Sequence, residues 1–134
     1  MIRLLSLAVV ALLAACAARP EPPACPVGLT PGLEARLFFG RNAGDRQVVG
    51  EADWQAFVDR EVAPRLPGFT VLATEGAWTD ERGTAVREAG TLLLVILPEG
   101  EAGLPALRAI AEAYKARFAQ DSVLTVVQPV CHAF

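Results

Sequence analysis

The chain has 134 residues, 53% of them hydrophobic and 20% charged, and a formal net charge of −3. That length makes one domain and leaves no room for a second. No block of basic residues occurs, so nucleic acid is a poor fit as partner, and so is an electrostatic hold on anionic lipid.

Residues 1–15 stand apart from the rest. Arg3 supplies one positive charge, 4–13 is an apolar stretch, and Ala14 and Ala15 are small residues ahead of Cys16. This is the layout of a bacterial secretory signal. The apolar stretch falls short of the roughly 20 residues that span a bilayer. The run Leu13, Ala14, Ala15, Cys16 resembles the lipobox of bacterial lipoproteins. The resemblance implies cleavage before Cys16 and a diacyl group on its thiol, with palmitate among the acyl chains. One chain binds marginally, whereas two or more, at about 0.8 kcal/mol per buried methylene, attach the protein firmly. Ordinary cleavage near Ala17 or Ala18 is the alternative. Ala17 is not the aspartate that resembles an inner-membrane retention signal. The expected location is therefore the cell envelope, facing the periplasm, at the outer membrane rather than the inner.

Removing Arg3 leaves 11 basic and 15 acidic residues, so the mature part carries 11 − 15 = −4. Its three cysteines are an odd number, awkward in an oxidising compartment. Assigning Cys16 to lipid leaves Cys25 and Cys131, near the two ends, and a disulfide between them is expected. Two free thiols are the alternative. A metal site at Cys131 and His132 lacks further ligands. No metal and no cofactor are expected.

Residues 16–31 form a lipidated cysteine and a proline-rich, stiff tether, and 32–134 form the domain. Alternating apolar residues predict a first strand over 33–39. A polar loop follows over 40–50, without phosphate-loop spacing. A first helix is expected over 51–63, with Trp54, Phe57, Val58 and Val62 on one stripe, Glu51 and Asp53 in its first turn, and Pro64 ending it. A second strand over 69–78 turns at 80–83 and returns over 84–88. A bulge is expected at Ala89–Gly90, and 91–97 then enters the core. After a loop over 98–103, a second helix covers 104–119, with Leu107, Ile110, Ala111, Tyr114 and Phe118 facing inward. A last strand over 122–127 is expected to stop at Pro129. The order β-α-β-β-α-β predicts an α+β, ferredoxin-like domain: a four-stranded antiparallel sheet with two helices on one face.

The runs LFFGR at 37–41, EADWQAF at 51–57 and APRLPGFTV at 63–71, with GAW at 76–78, RE at 87–88, YKARF at 114–118 and QDSV at 120–123, resemble one bacterial family, the domain of unknown function 3574. The resemblance covers about 33–127. Ala77 stands where the family pattern implies a glutamine, and Gly50 where it implies a serine. The family brings no activity with it.

No catalytic constellation stands out. There is no nucleophile motif such as G-x-S-x-G, and the single histidine, His132, sits beside the expected disulfide. Candidate ligand contacts are Arg41, Trp78, Arg87, Glu88 and Tyr114. For Arg87 and Glu88 the bland reading is a solvated cross-strand pair, and for Tyr114 a core position whose hydroxyl needs a partner. Trp78 shares a strand side with Thr70, Leu72, Thr74 and Gly76, and the missing side chain at Gly76 leaves it space to wall a pocket. Glu61, Arg65, Gln120 and Ser122 are weaker candidates, Gln120 and Ser122 serving turn backbone.

The run 91–97 is apolar on both faces, yet helices cover one. Each such side chain is worth about 1.5–3 kcal/mol on full burial, so a cover is expected: a sheet-to-sheet homodimer, the proline-rich arm, or a ligand. Two functions remain. One is a lipid-anchored envelope domain that works by binding or assembly. The other is a small cofactor-free enzyme similar to dimeric α/β-barrel monooxygenases and isomerases, with its pocket between sheet and helices.

Overall fold

The computed structural model describes residues 24–44 and 46–134. The signal segment, Cys16 and the tether up to residue 23 lie outside the described residues.

Four long strands carry the fold: β1 (Thr30–Gly40), β4 (Thr70–Thr79), β5 (Ala85–Leu97) and β6 (Leu124–His132), with a two-residue ladder of β2 (Asn42–Ala43) and β3 (Arg46–Gln47) after the first. The sheet order is β4-β5-β1-β6, with every pairing antiparallel. Helix α1 (Glu51–Phe57) runs on as a π-helical turn, Val58–Val62, and α2 (Leu104–Phe118) follows a 3-10 turn at Gly100–Gly103. This is the expected ferredoxin-like, α+β arrangement.

Both helices pack on the side of the sheet that presents Ala35, Leu37, Phe39, Leu93, Val95 and Leu97, all buried. From α1 and α2 come Trp54, Phe57, Ile110 and Tyr114. The four rings at 39, 54, 57 and 114 lie 4.7–6.2 Å apart between centroids, mostly tilted or edge-on, the favourable aromatic geometry. The space between sheet and helices is a packed aromatic core, so the pocket expected there is filled.

Three boundaries differ from expectation for physical reasons. No bulge occurs at Ala89–Gly90: pairing runs unbroken from Thr79–Ala85 to Thr70–Leu94. Gly90 serves a close approach instead, since a Cβ there would lie 2.8 Å from Thr74 Oγ1 and 3.3 Å from the Phe39 carbonyl. Strand β6 begins at Leu124 and continues through Pro129 to His132. It is an edge strand, where a missing N–H can face away from the ladder. Strand β1 starts at Thr30, because Thr30, Pro31 and Gly32 pair with β6 beyond the end of β5. There β1 has a neighbour on one side only, which tolerates Pro31.

Cys25 and Cys131 are joined in a disulfide with Cα atoms 5.6 Å apart, closing 106 residues of sequence separation. Val27 and Leu29 of the described arm are exposed, so this part of the arm does not cover the sheet.

Candidate functional site

The helix-free face is best read as rows across the sheet, because partners in an antiparallel ladder share a face. One row is Leu72, Leu92, Phe38 and Leu124; the next is Thr70, Leu94, Arg36 and Val126; then come Ile96, Glu34 and Gln128. Leu72 and Val126 remain 45% and 40% exposed, which confirms that this face is open. In the opposite direction the rows empty out. Thr74, Gly90 and Gly40 lie in register, then Gly76 opposite Glu88, then Trp78 opposite Val86.

Three glycines therefore meet on one face at one end of the sheet. Their missing side chains leave a cavity of about 730 Å³, floored by Gly40, Gly76 and Gly90 and walled by Trp78, Phe38 and Leu124. Adjacent strands are about 4.8 Å apart, so the sheet beneath the hollow is roughly 14 Å wide from β4 to β6. A Cβ at Gly76 would meet nothing within 4 Å, so that position opens directly onto the hollow. At Gly40 a Cβ would collide with Glu88 Oε1. The Glu88 side chain therefore lies across β1, where Oε1 accepts the Asn42 backbone N–H at 3.1 Å.

The rim after β1 is held from behind. The Tyr114 hydroxyl donates to the Gly40 carbonyl at 2.8 Å, and Gln120 Nε2 donates to the Asn42 carbonyl at 3.0 Å. Burial, with a smaller push from the Glu88 carboxylate and against the pull of Arg41, raises the Tyr114 phenol to about 12. Ala119, which closes α2 in a left-handed conformation at φ 51°, also borders the cavity.

Arg41 Nε donates to Thr91 Oγ1 at 3.0 Å, and both terminal nitrogens reach Glu51 Oε2 at 3.1 Å. Its guanidinium stands 5.9 Å from the Trp54 ring. The Glu51 carboxyl is held below its ordinary range, first by the Gln55 amide and then by Arg41. Arg87 pairs with Glu75 at 2.7 Å in solvent.

Of the five candidate residues, Trp78 and Glu88 border the cavity. Arg41 and Arg87 serve ion pairs elsewhere, and Tyr114 acts through the Gly40 carbonyl. Arg87 thus pairs across to β4, not with Glu88. Glu61 and Arg65 pair with each other at 2.8 Å along the helix end. Ala77 alternates with Gly76 and Trp78 onto the other face, so the departure from the family pattern there leaves the cavity untouched. At Gly50 the Asp53 carboxylate accepts the backbone N–H at 3.1 Å, supplying one half of a capping box. The floor glycines Gly40 and Gly90 and the amide of Asn42 were not anticipated. Their signal is the hairpin register: counting outward from Arg82 places Gly90 opposite Thr74 and Gly76 opposite Glu88.

Among the described residues no helix is long and apolar enough to cross a membrane, and no cluster of three or more potential metal ligands occurs.

The fold is shared with solved structures of a phage SAM lyase. A phage SAM lyase in complex with S-methyl-5'-thioadenosine is 22% identical, with 87% of this chain and 97% of that chain covered and a TM-score of 0.60. A phage SAM lyase in the apo state is 24% identical, covering 84% and 92%, with a TM-score of 0.61. Comparison with curated proteins finds no match. The family model described as "Protein of unknown function (DUF3574)" matches residues 34–134, which is nearly the whole of the domain just described, and the chain belongs to that family.

Proposed function

We propose that this chain is a lipid-anchored domain of the bacterial cell envelope that binds a small molecule in the glycine-floored hollow. The observation that carries the binding half is the convergence of Gly40, Gly76 and Gly90 beneath Trp78 and Glu88. Small-molecule sites are concave, mostly apolar and furnished with a few placed polar groups, in volumes of about 300–1,000 Å³. The envelope half rests on the signal-like segment and the lipobox-like run ending at Cys16. With Cys16 acylated, the proline-rich tether holds the hollow a short distance from the bilayer, facing the periplasm. The outer membrane is the favoured site.

The test is native mass spectrometry of the full-length protein extracted from membranes in mild detergent. Acyl chains on Cys16 and a small molecule that co-purifies, and is lost in Gly76→Leu, are expected. An unacylated soluble protein removes the anchor, and identical spectra for the two proteins remove the site.

A second reading makes the hollow a reaction site, as a cofactor-free enzyme. It is favoured by the fold shared with the phage SAM lyase. Incubation with SAM and chromatography for S-methyl-5'-thioadenosine distinguishes catalysis from binding.

The rows of Leu72, Leu92, Leu94 and Ile96 next to the hollow are assigned to a second copy of the chain. Leu72 and Val126 stay 45% and 40% exposed here while Glu34 and Arg36 neutralise each other within the chain, so an apolar, uncharged face is left for an isologous contact. Sedimentation should give a dimer that Leu94→Arg dissociates.

A further inference from the structure

Resting on the binding reading above, we infer that the hollow selects a small organic cation with a flat body, an amidinium or alkylated ammonium attached to a ring. The hollow excludes the opposite charge by its make-up. Among its described lining residues the charged ones are Glu75, Glu88 and Asp121, and none is Lys, Arg or His. Glu75 alternates with Gly76 onto the other face of the sheet, where Arg87 pairs with it at 2.7 Å, so the charges that face the hollow are those of Glu88 and Asp121. Glu88 and Asp121 make no ion pair among the described residues.

Glu88 is the anchor. It lies on the floor of the hollow, half-buried, with Oε1 taken by the Asn42 N–H at 3.1 Å. No hydrogen bond to Oε2 occurs among the described residues, so that oxygen is free to accept from a ligand. A charge-assisted bond from an N–H cation to such a carboxylate is about twice as strong as a neutral one. Trp78 supplies the second element. It stands one row from Glu88 on the same face and is 49% exposed, so its indole π face is available to a bound ring or cation. A cation over the tryptophan face is attracted by the ring quadrupole, more strongly as water is excluded. Gly76 lies in line with Trp78 on β4 and opposite Glu88, and its empty Cβ position admits a flat body between wall and anchor. A phosphate-bearing ligand would meet carboxylates and no cation.

The experiment uses three probes of one shape: benzamidine as the cation, benzamide as the neutral form and benzoate as the anion. Binding to the full-length protein in detergent is followed by calorimetry and by tryptophan fluorescence. Benzamidine is expected to bind at least tenfold tighter than benzamide, and benzoate not at all. Glu88→Gln should remove the preference for benzamidine, and Trp78→Leu should weaken both neutral and cationic probes. Equal affinity for the three probes, or a preference for benzoate, overturns the cation assignment. If those probes still compete with one another and are lost in Gly76→Leu, the hollow remains a binding site for another class. Failure of benzamidine to bind at millimolar concentration overturns the inference as well. The binding reading is then judged separately, by the co-purified molecule.

Discussion

The carboxylate of Glu88 on β5 lies over the bare backbone of Gly40 on β1, and the absence of a Cβ at Gly40 is what allows it. Side chain and glycine belong to strands that pair through Gly90, one row away. The arrangement fixes a carboxylate on the floor of a hollow while its outer oxygen faces the space above.

Gly40→Ala should therefore damage the site more than the fold. The added methyl meets the end of a flexible side chain, which swings aside and leaves the Asn42 N–H without its acceptor. A lost hydrogen bond of this kind costs about 1 kcal/mol. Denaturant midpoints should show a loss of that order, while affinity for a cationic probe falls at least tenfold. A stability loss above about 3 kcal/mol with unchanged binding would mean that Gly40 is needed for packing alone.

Tyr114 is the sole tyrosine of the chain, so its titration is directly visible in near-ultraviolet absorbance. Burial raises the phenol from an ordinary 10 to about 12 in the folded state. The unfolded chain thus releases this proton first. The neutral phenol's contribution to stability is complete below pH 10 and is lost as pH rises from about 10 through 12. Folded protein should show an absorbance midpoint near 12, and Tyr114→Phe should flatten the stability decline above pH 10. The variant should also lose about 1–2 kcal/mol at neutral pH, because the Gly40 carbonyl then lacks its donor. A folded-state midpoint near 10 would place the hydroxyl in solvent.

Much of this fold is legible in the sequence because hydrophobic periodicity reports which face of an element is buried. Trp54, Phe57, Ile110 and Tyr114 fall on apolar stripes and form the core. The alternation that sets Trp78 beside Gly76 and Thr74 is likewise a property of the strand alone. Gly90 shows where this reading ends. A glycine inside a strand signals a bulge or a close approach equally well, and only the pairing with Thr74 and Gly40 decides between them. Pro129 is similar, since a proline stops a central strand and is tolerated on an edge. The hollow has no local signature at all. It arises from glycines 36 and 14 residues apart whose shared face depends on register across three strands.

Ala119 holds a left-handed conformation, φ 51° and ψ 45°, while its N–H reaches the Lys115 carbonyl at the end of α2. The left-handed region costs a residue with a Cβ about 1–2 kcal/mol. Glycine removes that strain and returns about 0.4–1 kcal/mol in unfolded-chain entropy. Ala119→Gly should thus stabilise the domain by up to about 1 kcal/mol in chemical denaturation. Since Ala119 borders the hollow, the same variant should bind the cationic probe unchanged. A loss of affinity would show that the alanine methyl touches the ligand.

The disulfide between Cys25 and Cys131 ties the tether to the end of β6, across 106 residues of chain. Closing a loop of this length restricts the unfolded chain by about 4–5 kcal/mol on the loop-entropy account. The bond also sits at Pro31–Cys131, where β1 has lost β5 as a neighbour and is held by β6 alone. Replacing both cysteines by serine should lower the guanidinium midpoint by an amount close to the full 4–5 kcal/mol. Amide exchange should quicken most at the Thr30–Gly32 end of β1, and hardly at all at Leu37 and Leu93 in the core. Uniform acceleration throughout the sheet would show the bond acting only through global stability. A midpoint shift below about 1 kcal/mol would mean that the unfolded chain already keeps its two ends together.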